Sequence, residues 1–251
     1  FHYIKENTII IFNMLVPKTI HKVIITDTGT LPKLPSGISN AIESFYRLNP
    51  DYKVNLYSHE DCVKYIKKHY DEDILNLYNK LKPYAYKCDL MSQLILYNEG
   101  GWYSSMRSVC LEPLDVLNSI NKEYYTSVDC PPNQTCMYNA FIGAVPGHPI
   151  SKKMIDILKW NIEHNHYGLD CLYPTGPGAY MAGAIDYIRE NPHKCFIGQH
   201  TIEENNVEYV RFDNKRFFKC KYNNARGADN SDMNETNNYG KMWVNRDIYN
   251  I

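Results

Sequence analysis

Apolar and polar residues follow two periods along this chain. Alternating β-branched and aromatic runs predict strands, at 18–26, 52–58, 102–105, 124–129, 137–145 and 207–212. Apolar residues three and four positions apart predict helices, at 37–50, 71–82, 84–101, 148–164 and 177–190, with a further helix that opens at His59. Strands that alternate with helices are typical of an α/β domain, in which helices flank a sheet.

The same alternation runs along most of the 251 residues, without a repeat or a linker-like segment. We therefore predict a single domain over 1–251. Residues 1–15 are interpreted as an N-terminal extension. The polar, Asn-rich stretch 221–238 predicts an exposed, mobile loop because it holds few apolar side chains that a core could bury.

Composition and motifs argue against several classes of function. A formal net charge of -1 argues against a nucleic-acid partner or an anionic membrane surface. The apolar run at 8–16 is interrupted by Asn13 and is too short to span a bilayer. No G-x-S-x-G, P-loop or H-E-x-x-H pattern supports a hydrolase, NTPase or metalloprotease.

Cysteine spacing bears on metals and disulfides. None of the eight cysteines forms a C-x2-C pair, so the sequence predicts no structural zinc site. Cys130 and Cys136 flank a short loop and are either a disulfide or two free thiols.

The segment "NEGGWYSSMR" (98–107) is the main candidate for a chemically active site. Five segments, in order, resemble glycosyltransferase family 32, a family of DXD-containing sugar transferases: "VPKTIHKVII" (16–25), "SFYRLNPDYKVNLYSHED" (44–61), "YKCDLMSQLILYNEGGWY" (86–103), "NAFIGAVPGHP" (139–149) and "TGPGAY" (175–180).

The resemblance implies a GT-A type fold, a Rossmann-like sheet with helices on its faces and a nucleotide over the carboxyl ends of its strands. It also implies retaining transfer of a hexose from a UDP- or GDP-sugar to a glycan or glycoprotein acceptor. A divalent Mn or Mg ion, held by the two aspartates of D-x-D, usually stabilises the departing diphosphate.

This chain departs from the family pattern at the metal site. Ser105 and Arg107 stand where the two aspartates belong, so the sequence itself predicts no metal ligand. Asp89 of the upstream D-x-x-R element is kept, but Ser92 replaces its arginine. Near the C-terminus, Trp243 is kept without the histidine that precedes it in the family.

Three interpretations stay open. Arg107 takes the place of the cation in a metal-independent enzyme, since a guanidinium binds phosphate through two parallel hydrogen bonds. Alternatively, the domain is an inactive scaffold that binds a sugar or a protein. Finally, an active site has been altered at these two positions.

The resemblance assigns roles to individual residues. Arg107, with Ser105, is expected at the diphosphate. The expected nucleotide-sugar-binding residues are Thr26 beside the base, Asp89 at the nucleotide, Asn139, Gly176 and Pro177 near the sugar, and Gly101, Tyr103 and Trp243 around them.

Overall fold

The computed structural model describes residues 15–129, 136–224 and 236–250. Most of the predicted N-terminal extension, Cys130 of the candidate disulfide and the greater part of the predicted loop at 221–238 lie outside these ranges. Within the ranges, no helix has both the length and the apolar character needed to cross a bilayer.

The predicted strands and helices are confirmed, and several short elements are added. The strands are β1 (Thr19–Val23), β2 (Lys53–Tyr57), β3 (Gly101–Ser104), β4 (Val109–Cys110), β5 (Tyr124–Val128), β6 (Met137–Ala144), β7 (Cys195–Ile202), β8 (Glu208–Phe212) and β9 (Lys215–Lys219). The helices are α1 (Ser36–Leu48), α2 (His59–His69), α3 (Glu72–Lys80), α4 (Tyr84–Glu99), α5 (Leu114–Asn118), α6 (Pro149–Glu163), α7 (Pro177–Glu190) and α8 (Tyr239–Val244).

The described strands form one mixed sheet in the order β2-β1-β3-β6-β5-β7-β8-β9-β4. β1 pairs in parallel with β2 and β3, and β5 pairs in parallel with β7. β6 is antiparallel to both β3 and β5. The carboxyl ends of β1, β2, β3, β5 and β7 therefore meet at one edge, which we call the carboxyl edge, and β6 begins there.

Apolar side chains fill both faces of this sheet. On one face α2, α3, α4, α6 and α7 cover a large cluster that includes Leu90 and Leu94. On the other face α1 and α5 cover a second cluster that includes Phe45, Trp102 and Phe141. Full burial of such side chains contributes about 1.5–3 kcal/mol each, so the two clusters supply much of the fold's stability.

Local signals fix where the helices begin. Ser58 caps α2 by accepting a hydrogen bond from the Asp61 amide, and the Asp61 carboxylate accepts from the Ser58 amide. Asp71 accepts from the Ile74 amide and caps α3. The acidic run at 71–73 is thus a helix start, as the sequence predicts.

A glycine pair joins α4 to β3. Gly100 and Gly101 have φ of 66° and 97°, a region that favours glycine. The His21 Nε2–H donates to the Gly100 carbonyl at 3.0 Å, and its Nδ1 accepts from the Tyr57 hydroxyl at 3.1 Å. Burial lowers the pKa of His21 to about 4, so the imidazole stays neutral and keeps this arrangement.

Gly101→Ala is expected to destabilise the fold by about 3 kcal/mol, because positive φ and a steric clash act together. An added Cβ would lie 2.7 Å from the Thr19 carbonyl oxygen and 2.9 Å from His21 Nε2. Gly147→Ala is the matched control, since Gly147 has φ of 70° and nothing within 4 Å of an added Cβ. Its expected cost is about 1 kcal/mol. Urea unfolding measures both, and equal losses would contradict the steric part.

Candidate functional site

The turn after β3, residues 104–107, lies at the carboxyl edge where the family places its metal. The Ser105 amide donates to the Ala140 carbonyl at 2.9 Å, which continues the β3–β6 pairing into this turn. Ser105 is therefore a neighbour of the amino end of β6, where Asn139 lies. Both side chains are partly exposed.

A hydrogen-bonded carboxylate connects three separate motifs beside this turn. Asp89 of α4 accepts from Asn139 Nδ2 at 2.8 Å and from Thr175 Oγ1 at 2.7 Å. Thr175 directly precedes Gly176 and Pro177, where α7 begins. The structure thus brings together Asp89, Asn139 and the 175–177 segment, which the resemblance assigned to one site.

The Asp89 carboxyl is surrounded by protein, while part of the residue still reaches solvent. Burial raises the pKa of Asp89 to about 7, although the hydrogen bonds from Thr175 and Asn139 act in the opposite direction. A buried carboxyl with a pKa near neutrality that is bonded by side chains from separate motifs is typical of a binding or catalytic site.

A lysine lies under the turn from the other side of the sheet. Lys22 of β1 is fully buried, and its Nζ donates to the Ser105 carbonyl oxygen at 3.0 Å and to Ser104 Oγ at 3.3 Å. The ammonium also lies 3.7 Å from the centre of the Phe45 ring.

Arg107 is only 3% exposed at the end of the turn. Its carbonyl accepts from the Tyr222 amide at 3.1 Å, which ties the turn to the segment after β9. Its side chain is enclosed by protein and does not line the cleft described below.

The donor set at the turn does not fit a divalent cation. Hard cations prefer carboxylate and carbonyl oxygens, whereas this turn offers Ser104 and Ser105 hydroxyls, the Arg107 guanidinium and the Lys22 ammonium. The Ser105 carbonyl oxygen already accepts from that ammonium. Elsewhere in the described ranges, no group of three or more His, Cys, Asp or Glu side chains could hold a metal ion.

A cleft of about 460 Å³ opens beside the carboxyl end of β1. Its walls come from the loop after β1, the start of α2, α3, α4 and residues 237–250. The lining residues are Ile25, Thr26, Asp27, Gly29, His59, Asn79, Leu81, Lys82, Tyr84, Lys87, Asn237, Met242 and Asn250. Among these lining residues, Thr26 is the one that the resemblance predicts as a site residue. The volume falls within the range of small-molecule sites.

The C-terminal segment closes one side of the cleft. Asn237 accepts from the Tyr84 amide at 2.9 Å and donates to the Lys82 carbonyl at 3.0 Å. Tyr84 donates its hydroxyl to Asp27 across the mouth. Trp243 Nε1–H donates to the Tyr167 carbonyl at 2.7 Å, so this tryptophan anchors α8 while its neighbour Met242 faces the cleft.

Two of the predicted site residues, Gly101 and Tyr103, belong neither to the turn nor to the cleft lining. Gly101 is at the amino end of β3, the opposite end of the strand from the turn, and the structure gives it the conformational role described above. Tyr103 is 5% exposed and packs in the core against α4. Burial raises the pKa of Tyr103, with the nearby Cys88 and Asp89 adding to the effect.

Comparisons with known proteins match this chain to glycosyltransferases. Residues 35–126 match the model of the glycosyltransferase sugar-binding region containing DXD motif. This segment of the chain is therefore similar to the sugar-binding region of glycosyltransferases. A protein of Acanthamoeba polyphaga mimivirus, named an uncharacterized glycosyltransferase, is 24% identical over 178 residues, 71% of this chain and 68% of that protein.

Solved structures identify the fold as the GT-A type. The glycosyltransferase PaToxG has a TM-score of 0.56 at 20% identity and covers 70% of this chain and 71% of its own. The UDP-bound glycosyltransferase domain of the YGT toxin has a TM-score of 0.50 at 8% identity and covers 73% of this chain and 79% of its own.

The predicted set omits several residues that lie around the turn and the cleft. Thr175 belongs to a matched motif but carries no predicted role. Lys22 lies on the same strand face as Ile20, and that period-two pattern is a signal that its ammonium is buried. The Tyr84–Asp27 pair and Asn237 are far apart in sequence, so no local pattern indicates them.

Asp89→Asn is expected to stabilise the protein above pH 7, because it removes the charge that burial disfavours. Asp89 has a pKa raised from 3.8 to about 7, so the wild-type protein loses stability relative to the variant between pH 4 and 7. The difference should reach about 1–3 kcal/mol and stay constant above pH 7.

Asp115→Asn is the control with the opposite sign. Hydrogen bonds from Tyr52 and Lys18 lower the pKa of Asp115, so its replacement should reduce stability above pH 4. Urea unfolding at pH 4, 6 and 8 measures both variants. An Asp89→Asn difference that is independent of pH would contradict the assignment.

Proposed function

We propose that the chain transfers a hexose from a UDP- or GDP-sugar to a glycan or protein acceptor, with retention of configuration and without a divalent metal. The observation that carries the proposal is the meeting of Asp89, Asn139 and the 175–177 segment at the carboxyl edge. The match of residues 35–126 to the glycosyltransferase model and the GT-A fold support the class of reaction.

The cleft beside β1 is the proposed site of the nucleoside. Ligands of open α/β sheets bind at the carboxyl ends of the strands, and the cleft occupies that position. Thr26 and Asp27 follow β1 there, and Asn79 and Asn237 add amide groups that can bond a base or ribose. A UDP-bound neighbour with this fold supports a uridine donor among the candidates.

The proposed diphosphate site is the turn at residues 104–107. Bond cleavage leaves negative charge on the diphosphate, which needs cationic stabilisation. Arg107 supplies a permanent positive charge in a poorly solvated environment, where the charge is weakly screened. The partly exposed Ser105 hydroxyl can donate a hydrogen bond to a phosphate oxygen.

The hexose is proposed to lie between the turn and the start of α7. Asp89, which the resemblance assigns to the nucleotide, bonds Asn139 there, and each of the two residues is partly exposed. Gly176 lets this segment pack closely on the backbone of Leu172, because an added Cβ would lie 3.0 Å from the Leu172 carbonyl oxygen. Pro177 starts α7, and Tyr103 and Trp243 support the site from the core and from α8.

Calorimetric titration with UDP and GDP tests the donor site. We expect the wild-type protein to bind one of them with similar affinity in 1 mM manganese and in EDTA. Complete absence of binding would refute the transferase and leave the sugar- or protein-binding scaffold.

Arg107→Ala should weaken that binding about tenfold to a hundredfold, because a positive charge that acts through a poorly solvated environment is lost. Arg107→Lys keeps the charge and should lose less. Arg189→Ala is the control, because Arg189 is an exposed arginine on α7 that pairs with Asp186. Thermal unfolding of each variant separates loss of binding from loss of fold, and unchanged affinity in Arg107→Ala would remove Arg107 from the site.

A further inference from the structure

Lys22 is an unusual side chain for the centre of a sheet. It lies on β1 between two apolar neighbours in space, Ile20 on its own strand and Phe45 on α1. In the described ranges, no carboxylate lies within ion-pair distance of its ammonium. Its partners are the Ser105 carbonyl oxygen, the Ser104 hydroxyl and the Phe45 ring.

A buried ammonium without a carboxylate is costly for a fold. Burial lowers the pKa of Lys22 from 10.5 to about 7, because the protonated form is poorly solvated. Lys87 is a second buried lysine, and its ammonium donates to the Tyr78 carbonyl oxygen, but this residue lines the cleft and not the turn. Lys22 instead lies under the one turn where family members hold a metal, and local rules are most often broken at functional sites.

We propose that Lys22 is a positioning residue that replaces the divalent cation: its ammonium holds the turn at residues 104–107 through Ser104 and Ser105, so that the diphosphate site forms without a metal. The inference rests on the proposed function. If aspartates at 105 and 107 held a divalent cation, the ammonium bonded to the Ser105 carbonyl oxygen would repel that cation. The Lys22 ammonium therefore stands in place of the metal that a D-x-D pattern would hold.

A manganese titration tests the replacement without any nucleotide. Ser105→Asp combined with Arg107→Asp restores the D-x-D pattern, and its Mn²⁺ affinity is measured by electron paramagnetic resonance with Lys22 present and with Lys22→Met. We expect the Lys22→Met background to bind Mn²⁺ at least tenfold more tightly, because a nearby positive charge has been removed. Equal or weaker affinity would overturn the inference, since an ammonium that occupies the place of the metal must oppose metal binding.

A second measurement uses UDP and GDP with the unmodified turn. Lys22→Met should bind the nucleotide at least tenfold more weakly than wild type in EDTA, with an unchanged or higher midpoint of thermal unfolding. Lys18→Met is the matched control, because Lys18 precedes the same strand, is exposed and pairs with Asp115.

The outcomes separate this inference from the proposed function. If the wild-type protein and Lys22→Met bind the nucleotide equally, the positioning role is wrong and the transferase proposal stands. If wild type binds neither nucleotide, the transferase proposal fails, and the manganese titration still decides whether Lys22 replaces the metal.

Discussion

The junction between α4 and β3 is the constraint on which the rest of the architecture depends. The neutral His21 donates to the Gly100 carbonyl, and Gly100 and Gly101 take backbone angles that other residues rarely adopt. This junction places β3 beside β1 in parallel, with α4 packed across both strands. Asp89 on α4 and the turn after β3 consequently both lie beside the start of β6.

The electrostatics of that crevice differ from those of a metal-dependent site. A D-x-D site combines two carboxylates with a divalent ion, whereas this turn combines two hydroxyls with Arg107 and Lys22. A metal is exchangeable, but side-chain cations are fixed by the fold. Burial lowers the pKa of Lys22 to about 7, so its ammonium form prevails only below neutral pH.

The convergence of Asp89 with Asn139 and the 175–177 segment was predictable, because each belongs to a motif with a recognisable local pattern. The position of Arg107 was not predictable in the same way. The position of Arg107 relative to the D-x-D motif places it on the turn. Its burial depends on tertiary packing around that turn, to which the segment after β9 is bonded. The cleft was only partly predicted, since its walls include Tyr84 and Asn237, which lie about 150 residues apart.

The sequence by itself determined the α/β class, the helix starts at Ser58 and Asp71, and the loss of the two aspartates. These follow from period, capping chemistry and residue identity, which act within a few neighbouring positions. Only the tertiary structure decided that the Lys22 ammonium lies under Ser105, and that α8 closes the cleft. Both depend on contacts between segments far apart in the chain, and no local periodicity encodes which distant backbone oxygen a buried donor will meet.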